Sequence, residues 1–339
     1  MKWFVLILLT IAAMAAAPRV EATTTCSITS ITNLAFGTVD PTGTVVNTQA
    51  TVNYSCSYSG VLGGLYGSYI SACVSLAPDD LGNFAPRTLL NTANTDRMQY
   101  QAFKDGSYST IWGRVNNATY TPQTFTRNFG LLSNNVTITG SLTIYGQVPA
   151  LQSGLSPGNY IGTLAGSLTG TSITWSYNEV LLTLGTFPAS CTSGGTVAAQ
   201  TVAGPALTAT ASVAAKCTVG TATELNFGSV SGLLRVNTDQ TSLVRATCTH
   251  RAAYQIGLDN GKNASGTTRR MTDGTHFVTY QLFTDPGRTT RWGNTLNTDT
   301  AAGTGSGSEQ TLTVYGRVPI QAAQPAGSYS DIVTVTVTY

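Results

Sequence analysis

Residues 311–339 read TLTVYGRVPIQAAQPAGSYSDIVTVTVTY, and the last run of this stretch alternates: Val333, Val335, Val337 and Tyr339 share one face, while Thr334, Thr336 and Thr338 share the other. A period of two with one apolar side is the pattern of a half-buried β-strand. Because nothing follows Tyr339, this strand is expected to leave a backbone edge without a partner, and such an edge is a template for a strand from another chain.

Short alternating segments of the same kind, separated by Gly, Pro, Asn and Asp, recur through all 339 residues. Gly is abundant at 35 residues, charged residues make up only 9%, and helix-favouring runs of Glu, Lys, Leu and Ala are absent, so the expected fold class is all-β. A net charge of +2 with no Lys/Arg cluster interleaved with aromatics excludes nucleic acid as an expected partner. At the start, Lys2 precedes an apolar run over residues 3–17 and the small-residue site Val20-Glu21-Ala22, the pattern of a secretory signal peptide over residues 1–22. The apolar run is shorter than the ~20 residues a membrane span needs. The mature chain from Thr23 is expected to be exported, where disulfides persist, and its length fits two domains of ~150 residues.

The chain repeats itself. Cys26 and Leu34-Ala35-Phe36-Gly37 correspond to Cys217 and Leu225-Asn226-Phe227-Gly228, and Cys56 corresponds to Cys248. Tyr100-Gln101-Ala102-Phe103-Lys104-Asp105 and Trp112-Gly113 return as Tyr280-Gln281-Leu282-Phe283-Thr284-Asp285 and Trp292-Gly293, and Tyr145-Gly146-Gln147-Val148-Pro149 returns as Tyr315-Gly316-Arg317-Val318-Pro319. The two halves are therefore read as tandem immunoglobulin-like β-sandwiches, an N-terminal domain over residues 23–189 and a C-terminal domain over 190–339, with Gly194-Gly195 opening a linker arm. The matched cysteines suggest the bridges Cys26–Cys56 and Cys217–Cys248. Cys73 and Cys191 are left over, and spacing alone does not establish their connectivity.

The Cys-x9-Phe-Gly, the Trp-Gly, the Val-Tyr-Gly-Arg-Val-Pro of residues 314–319 and the closing Gly327-to-Tyr339 run resemble the spore coat protein U domain family. Two such domains behind one signal peptide look like the two-domain tip adhesins of Csu-type archaic chaperone–usher pili. The resemblance implies a sandwich that lacks its final strand, which a periplasmic chaperone and then a neighbouring subunit's N-terminal extension supply by strand addition, with an outer-membrane usher exporting the fibre. An acceptor groove is then expected beside Val333, Val335, Val337 and Tyr339. Only Thr23, Thr24 and Thr25 separate the expected cleavage site from Cys26, too few for a donor strand of ordinary length, so the chain is expected at the tip of a pilus on the cell surface.

The N-terminal half differs from the C-terminal half by insertions. Cys56 to Tyr100 spans 44 residues against 32 for Cys248 to Tyr280, and Trp112 to Tyr145 spans 33 against 23 for Trp292 to Tyr315. The insertions carry Val61, Leu62, Leu65 and Tyr66, and Phe129, Leu131 and Leu132, on glycine- and asparagine-flanked loops. With the turn near Leu168–Ile173, these loops are expected to cluster at the pole away from the linker. They would form a hydrophobic tip that attaches cells to apolar surfaces, abiotic or host, and promotes biofilm. A run over residues 173–184 is expected to give this domain its own final strand. An alternative alignment, with Tyr177-Asn178-Glu179-Val180 opposite Tyr329-Ser330-Asp331-Ile332, draws that strand from residues 196–215 instead.

Two rival functions are a glycan-binding tip using Trp112, Tyr108 and Tyr120 as a platform, and a structural coat or pilin subunit without adhesion. Catalysis is not expected: the only histidines are His250 and His276, and no nucleophile motif or repeated carboxylate pair is present. No CxxC or Cys/His ligand group points to a metal, and no cofactor is implied.

Overall fold

A computed structural model describes residues 23–60, 65–131, 133–230 and 234–339. The expected signal peptide lies outside these residues. The N-terminal half runs through β1 (Thr23–Ile31), β2 (Leu34–Thr38), β3 (Val46–Ser59), β4 (Tyr66–Ser75), β5 (Arg87–Asn91) and β6 (Arg97–Phe103). It continues through β7 (Gln123–Phe129), β8 (Val136–Val148), β9 (Gly158–Leu164), β10 (Ser172–Leu181), β11 (Val197–Ala203) and β12 (Leu207–Val213). These strands form one sheet of order β1-β3-β8-β6-β5-β9-β12-β2 and a second of order β11-β10-β4-β7, and their facing sides enclose one apolar core reaching from Cys26 to Val213.

The C-terminal half holds β13 (Cys217–Val219), β14 (Thr238–Cys248), β15 (Ala253–Leu258), β16 (Arg269–Thr272), β17 (Phe277–Phe283), β18 (Ala301–Thr304), β19 (Glu309–Val318) and β20 (Val335–Thr338). Its sheets run β13-β14-β19-β17-β16 and β18-β15-β20 around a smaller core. The chain is all-β, with a sheet packed on a sheet in each half, as alternating sequences with one apolar face require. Residues 197–213, which the sequence reading gave to the second domain, lie on the first core, where β11 pairs with β10 and β12 with β9.

The repeated residues have matching tasks. Cys26 stands opposite Cys56 between β1 and β3, Cys217 stands opposite Cys248 between β13 and β14, and both pairs are bridged. The third bridge joins Cys73 on β4 to Cys191. Trp112 Nε1 donates to the Val74 carbonyl and Trp292 Nε1 to the Ile256 carbonyl, both at 2.8 Å, so each indole links the two sheets with its polar atom satisfied. Gly146 and Gly316 lie under crossing chains: a Cβ at either position would run into Leu34 and Phe36, or into Leu225 and Phe227.

Each core also holds a fully buried arginine that the sequence reading missed. The Arg87 guanidinium donates to the carbonyls of Ala77 and Trp112 and to Gln101 Oε1, and Arg269 makes the corresponding bonds to Leu258, Trp292 and Gln281. Burial lowers both guanidinium groups to about 10, so they remain charged at neutral pH, and their ring of acceptors offsets the desolvation. The signal was present in the sequence: the glutamine repeated after Tyr100 and Tyr280 is an acceptor for this arginine in both halves.

Candidate functional site

The two halves differ most at one slot. In the N-terminal half, β12 lies between β9 and β2. It runs antiparallel to β9 over seven residues, from Leu207 opposite Leu164 to Val213 opposite Gly158, and parallel to β2 with Ala209 beside Leu34. Leu207, Ala209, Ala211 and Val213 point into the core and are buried, while Thr208, Thr210 and Ser212 lie on the outer side. The completing strand therefore comes from the 196–215 arm. Residues 172–181 form β10 in the opposite sheet, where they pair along all of β4. The expectation that residues 173–184 complete this domain is corrected accordingly: β10 is the counterpart of β20, since each is the strand that pairs next to the matched β4 or β15.

In the C-terminal half the corresponding slot is an open groove of about 940 Å³. Its floor is the inner face of the sheets, with Val244, Leu258, Val278, Tyr280, Leu282 and Val314. One wall is the segment from Leu225 to Gly228, the counterpart of β2, and the other is the segment from Gln324 to Asp331, continued by Val333 and Val335. Leu225 and Phe227 are half-buried here, whereas their counterparts Leu34 and Phe36 are buried under β12. The register of the walls is fixed by a repeated feature: the Tyr160 hydroxyl donates to the Ser156 carbonyl and the Tyr329 hydroxyl to the Pro325 carbonyl, four residues back in each case.

Of the residues expected at this groove, Val333 and Val335 line it. Val337 packs on the second core from within β20, and Tyr339 is 57% exposed beyond the strand. The groove lies between residues 225–228 and 324–335, so its wall is the chain leading into β20 more than the edge of β20 itself. Tyr280 on the floor donates to Asp331 Oδ2 at 2.7 Å, and burial, reinforced by this bond, raises its phenol well above the ordinary range.

The insertions of the N-terminal half occupy one end of its sheets. β4 begins there at Tyr66, opposite Leu181 at the end of β10, and β7 ends there at Phe129, opposite Ser68. Val61, Leu62 and Leu132 fall outside the described residues. Among the others, Leu131 is 41% exposed, Leu65 is half-buried, and Tyr66 packs against the core. Phe129 is not a tip residue: it is buried and its ring stacks on Tyr58 at 5.5 Å, because β7 turns its alternate side chains inward. The turn near Leu168 is also elsewhere, since β10 runs antiparallel to β4 and carries Ser172 to the opposite end, beside Ser75.

In its place the segment after β10 joins the apolar end. Leu182 N donates to the Leu65 carbonyl at 2.9 Å, and Leu181, Leu182 and Leu184 are 46%, 61% and 91% exposed. This segment is pinned to β4 by the Cys73–Cys191 bridge, by Ser71 Oγ donating to the Pro188 carbonyl, and by Phe187 set edge-on to Tyr69. The end lies far from the C-terminal half. Val136 and Val148 are the two ends of the 13-residue β8, roughly 40 Å apart at strand rise; the Val148 side leads to Ser153, which touches Gly307 of the other half.

The glycan platform does not assemble. Trp112 is fully buried, Tyr120 stacks on Phe84 at 5.9 Å, and Tyr108 meets Phe103 and Tyr145 edge-on. Among the described residues, no group of three or more His, Cys, Asp or Glu is gathered to hold a metal ion.

The sequence matches the Spore Coat Protein U domain over residues 10–167 and again over residues 203–336. A relative, Protein U of Myxococcus xanthus, is 32% identical over 145 residues, covering 38% of this chain and 80% of that protein. Solved structures with some likeness include the CsuC–CsuE chaperone–tip adhesion subunit pre-assembly complex of archaic chaperone–usher Csu pili from Acinetobacter baumannii, at 18% identity and a TM-score of 0.46 over 93% of this chain and 100% of that one. The CupB6 tip adhesin of Pseudomonas aeruginosa gives 15% identity and a TM-score of 0.33 over 94% of each chain.

Proposed function

The chain belongs to the spore coat protein U domain family, and from that premise we propose that it is an adhesin of a chaperone–usher pilus, attached to the fibre through its C-terminal half and to surfaces through its N-terminal half. One observation carries the reading: a slot that the chain fills with its own β12 in one half is an open groove with an apolar floor in the other. A groove with an apolar floor between two chain segments is suited to an added strand, which contributes ladder hydrogen bonds and alternate side chains together. Before assembly a periplasmic chaperone covers it, the usher exports the subunit, and in the fibre a neighbouring subunit's N-terminal strand replaces the chaperone.

The N-terminal half, completed by β12, needs no partner for its own core and presents Leu131, Leu181, Leu182 and Leu184 at its far end. Exposed leucines at one end of a folded scaffold offer a contact surface for apolar material. Each contributes up to roughly 1.5–3 kcal/mol when fully buried, and many pili on one cell multiply weak contacts into adhesion and biofilm.

The test is to express residues 214–339 with and without the cognate chaperone. Soluble protein is expected only in the complex; a soluble, monomeric fragment with a cooperative melt of its own overturns the acceptor reading. For the surface, Leu131, Leu181, Leu182 and Leu184 are changed to Ser in the full chain. Adhesion to a hydrophobic surface should fall while pilus number stays constant, and unchanged adhesion removes the apolar tip.

A further inference from the structure

The filled slot of the N-terminal half dictates what the open one accepts. The repeat aligns the two walls residue by residue: Tyr160 and Tyr329 each bond the carbonyl four residues back, and the contact of Leu90 with Ile161 is matched by that of Thr272 with Ser330. Gly158, Tyr160, Gly162 and Leu164, which face β12, therefore correspond to Gly327, Tyr329, Asp331 and Val333. On the other wall, Leu34 beside Ala209 corresponds to Leu225.

We propose that the C-terminal groove selects an extended strand from another chain by direction and by residue size. The strand runs antiparallel to residues 327–333, with an aliphatic side chain beside Val333, small side chains beside Asp331 and Tyr329, and an aliphatic side chain beside Gly327. This rests on the reading of the groove as a strand acceptor and adds the identity of what it accepts. The chain itself contains one such strand, β12, whose inward residues are Leu207, Ala209, Ala211 and Val213.

The narrow centre has a physical cause. In the N-terminal slot Ala209 and Ala211 are flanked by Leu34 and Tyr160, and both flanking residues persist as Leu225 and Tyr329. The other changes close the centre further. Asp331 replaces Gly162 and is held there by Tyr280 and by Asn263, whose Nδ2 donates to it at 3.0 Å, and Leu282 stands where the first half has Ala102. A leucine on the incoming strand at either central position meets a wall already occupied, and overpacking of that kind is destabilising. The two ends differ: Gly327, like Gly158 opposite Val213, carries no side chain, and Val333 replaces the larger Leu164 opposite Leu207.

The experiment uses the full chain and a labelled peptide of β12 sequence, PALTATASVAA, residues 205–215, read by fluorescence polarisation. A second peptide carries Ala209→Leu and Ala211→Leu, and a third carries the β12 residues shifted by one so that Thr and Ser face inward. The β12 peptide is expected to bind at least about tenfold more tightly than either. Direction is read by disulfide trapping, because residues directly opposite in an antiparallel pair come within bridging distance. Val333→Cys in the protein should trap a peptide with Leu207→Cys, and Gly327→Cys should trap one with Val213→Cys. Equal or tighter binding of the leucine peptide, or trapping in the crossed pairs, overturns the selection rule while leaving the groove an acceptor. Failure of every peptide to bind overturns the acceptor reading itself, and the selection rule with it.

Discussion

The two halves use similar floors, the same buried arginine and the same crossing Leu-x-Phe-Gly segment, yet one is closed and the other open. The difference is seven residues. β12 supplies Leu207, Ala209, Ala211 and Val213 to the first core, and nothing among the described residues does so for the second. A sandwich of this kind can thus be written as a scaffold plus a separable strand. Supplying that strand within the chain closes the core of the first half, and leaving it out leaves the groove of the second open. β12 also passes through only residues 214–216 into β13, so the strand that closes the first half is the tether of the second.

The most severe way to break the comparison is to make the first half resemble the second. Ala209→Asp places a carboxylate at a fully buried position with no partner, at a cost of about 5 kcal/mol or more. The first half should then lose its cooperative melt and become as protease-sensitive as a half without its strand. Retention of the native melt would mean that β12 is not needed there.

A smaller loss is expected from the bridge that has no counterpart in the C-terminal half. Cys73→Ser with Cys191→Ser should cost about 2–5 kcal/mol in the first half. It should also lower adhesion, since the bridge holds the segment carrying Leu182 and Leu184 against β4. A melt and an adhesion assay on the same preparation separate the two effects: a loss of stability with unchanged adhesion would show that the tip leucines act without this anchor.

What could be read in the sequence follows the strength of the local signal. The repeat was legible because Trp-Gly, Tyr-Gln and Tyr-Gly sit at positions where a buried indole, an arginine acceptor and a crossing chain leave few alternatives. The disulfides of β1–β3 and β13–β14 followed from the same repeat. The role of β12 is only weakly legible, as the alternative that draws the strand from residues 196–215, because its inward residues include two alanines in an Ala- and Thr-rich stretch, so its alternation carries little hydrophobic contrast and resembles a linker. Phe129 was misplaced because a loop's apolar residue and a strand's last inward residue look alike without the pairing partner, here Ser68. Leu181, Leu182 and Leu184 give no tip signal in the sequence, because they end a run that reads as one strand over residues 173–184.

The comparison can also be run in the opposite direction. Adding the β12 sequence after Tyr339 through a flexible linker of about ten residues should close the second half in the manner of the first. Burial of the Leu and the Val together with the new ladder hydrogen bonds favours the closed form, and the entropy of ordering the strand opposes it. The readout is the appearance of a cooperative melt of the second half without chaperone, together with loss of chaperone binding. An unchanged melt with chaperone binding retained would show that β12 does not fit the second groove.

The smallest effect concerns the contact between the halves. Asp40, just after β2, accepts from Lys216 Nζ at 2.7 Å, whereas the C-terminal half has Ser231 at the position matching Asp40. The pair therefore joins the halves and is not part of the repeated scaffold. The hydrogen bond from Lys216, followed by those from Thr42, lowers the Asp40 carboxyl to about 2. Because the folded value is depressed, the contribution is fully present above the ordinary aspartate range near 3.8 and is lost as pH falls from there toward about 2. Both side chains are more than a third exposed, so solvent screening holds the contribution below about 1 kcal/mol. Asp40→Asn should leave the melt of the first half within that margin at neutral pH while loosening the relative orientation of the halves, which small-angle scattering would register as a broader distribution of interdomain distances. An unchanged distribution would assign the orientation to the short 214–216 connection and to the other contacts, Arg251 with Asp96 at 3.3 Å and Ser153 against Gly307.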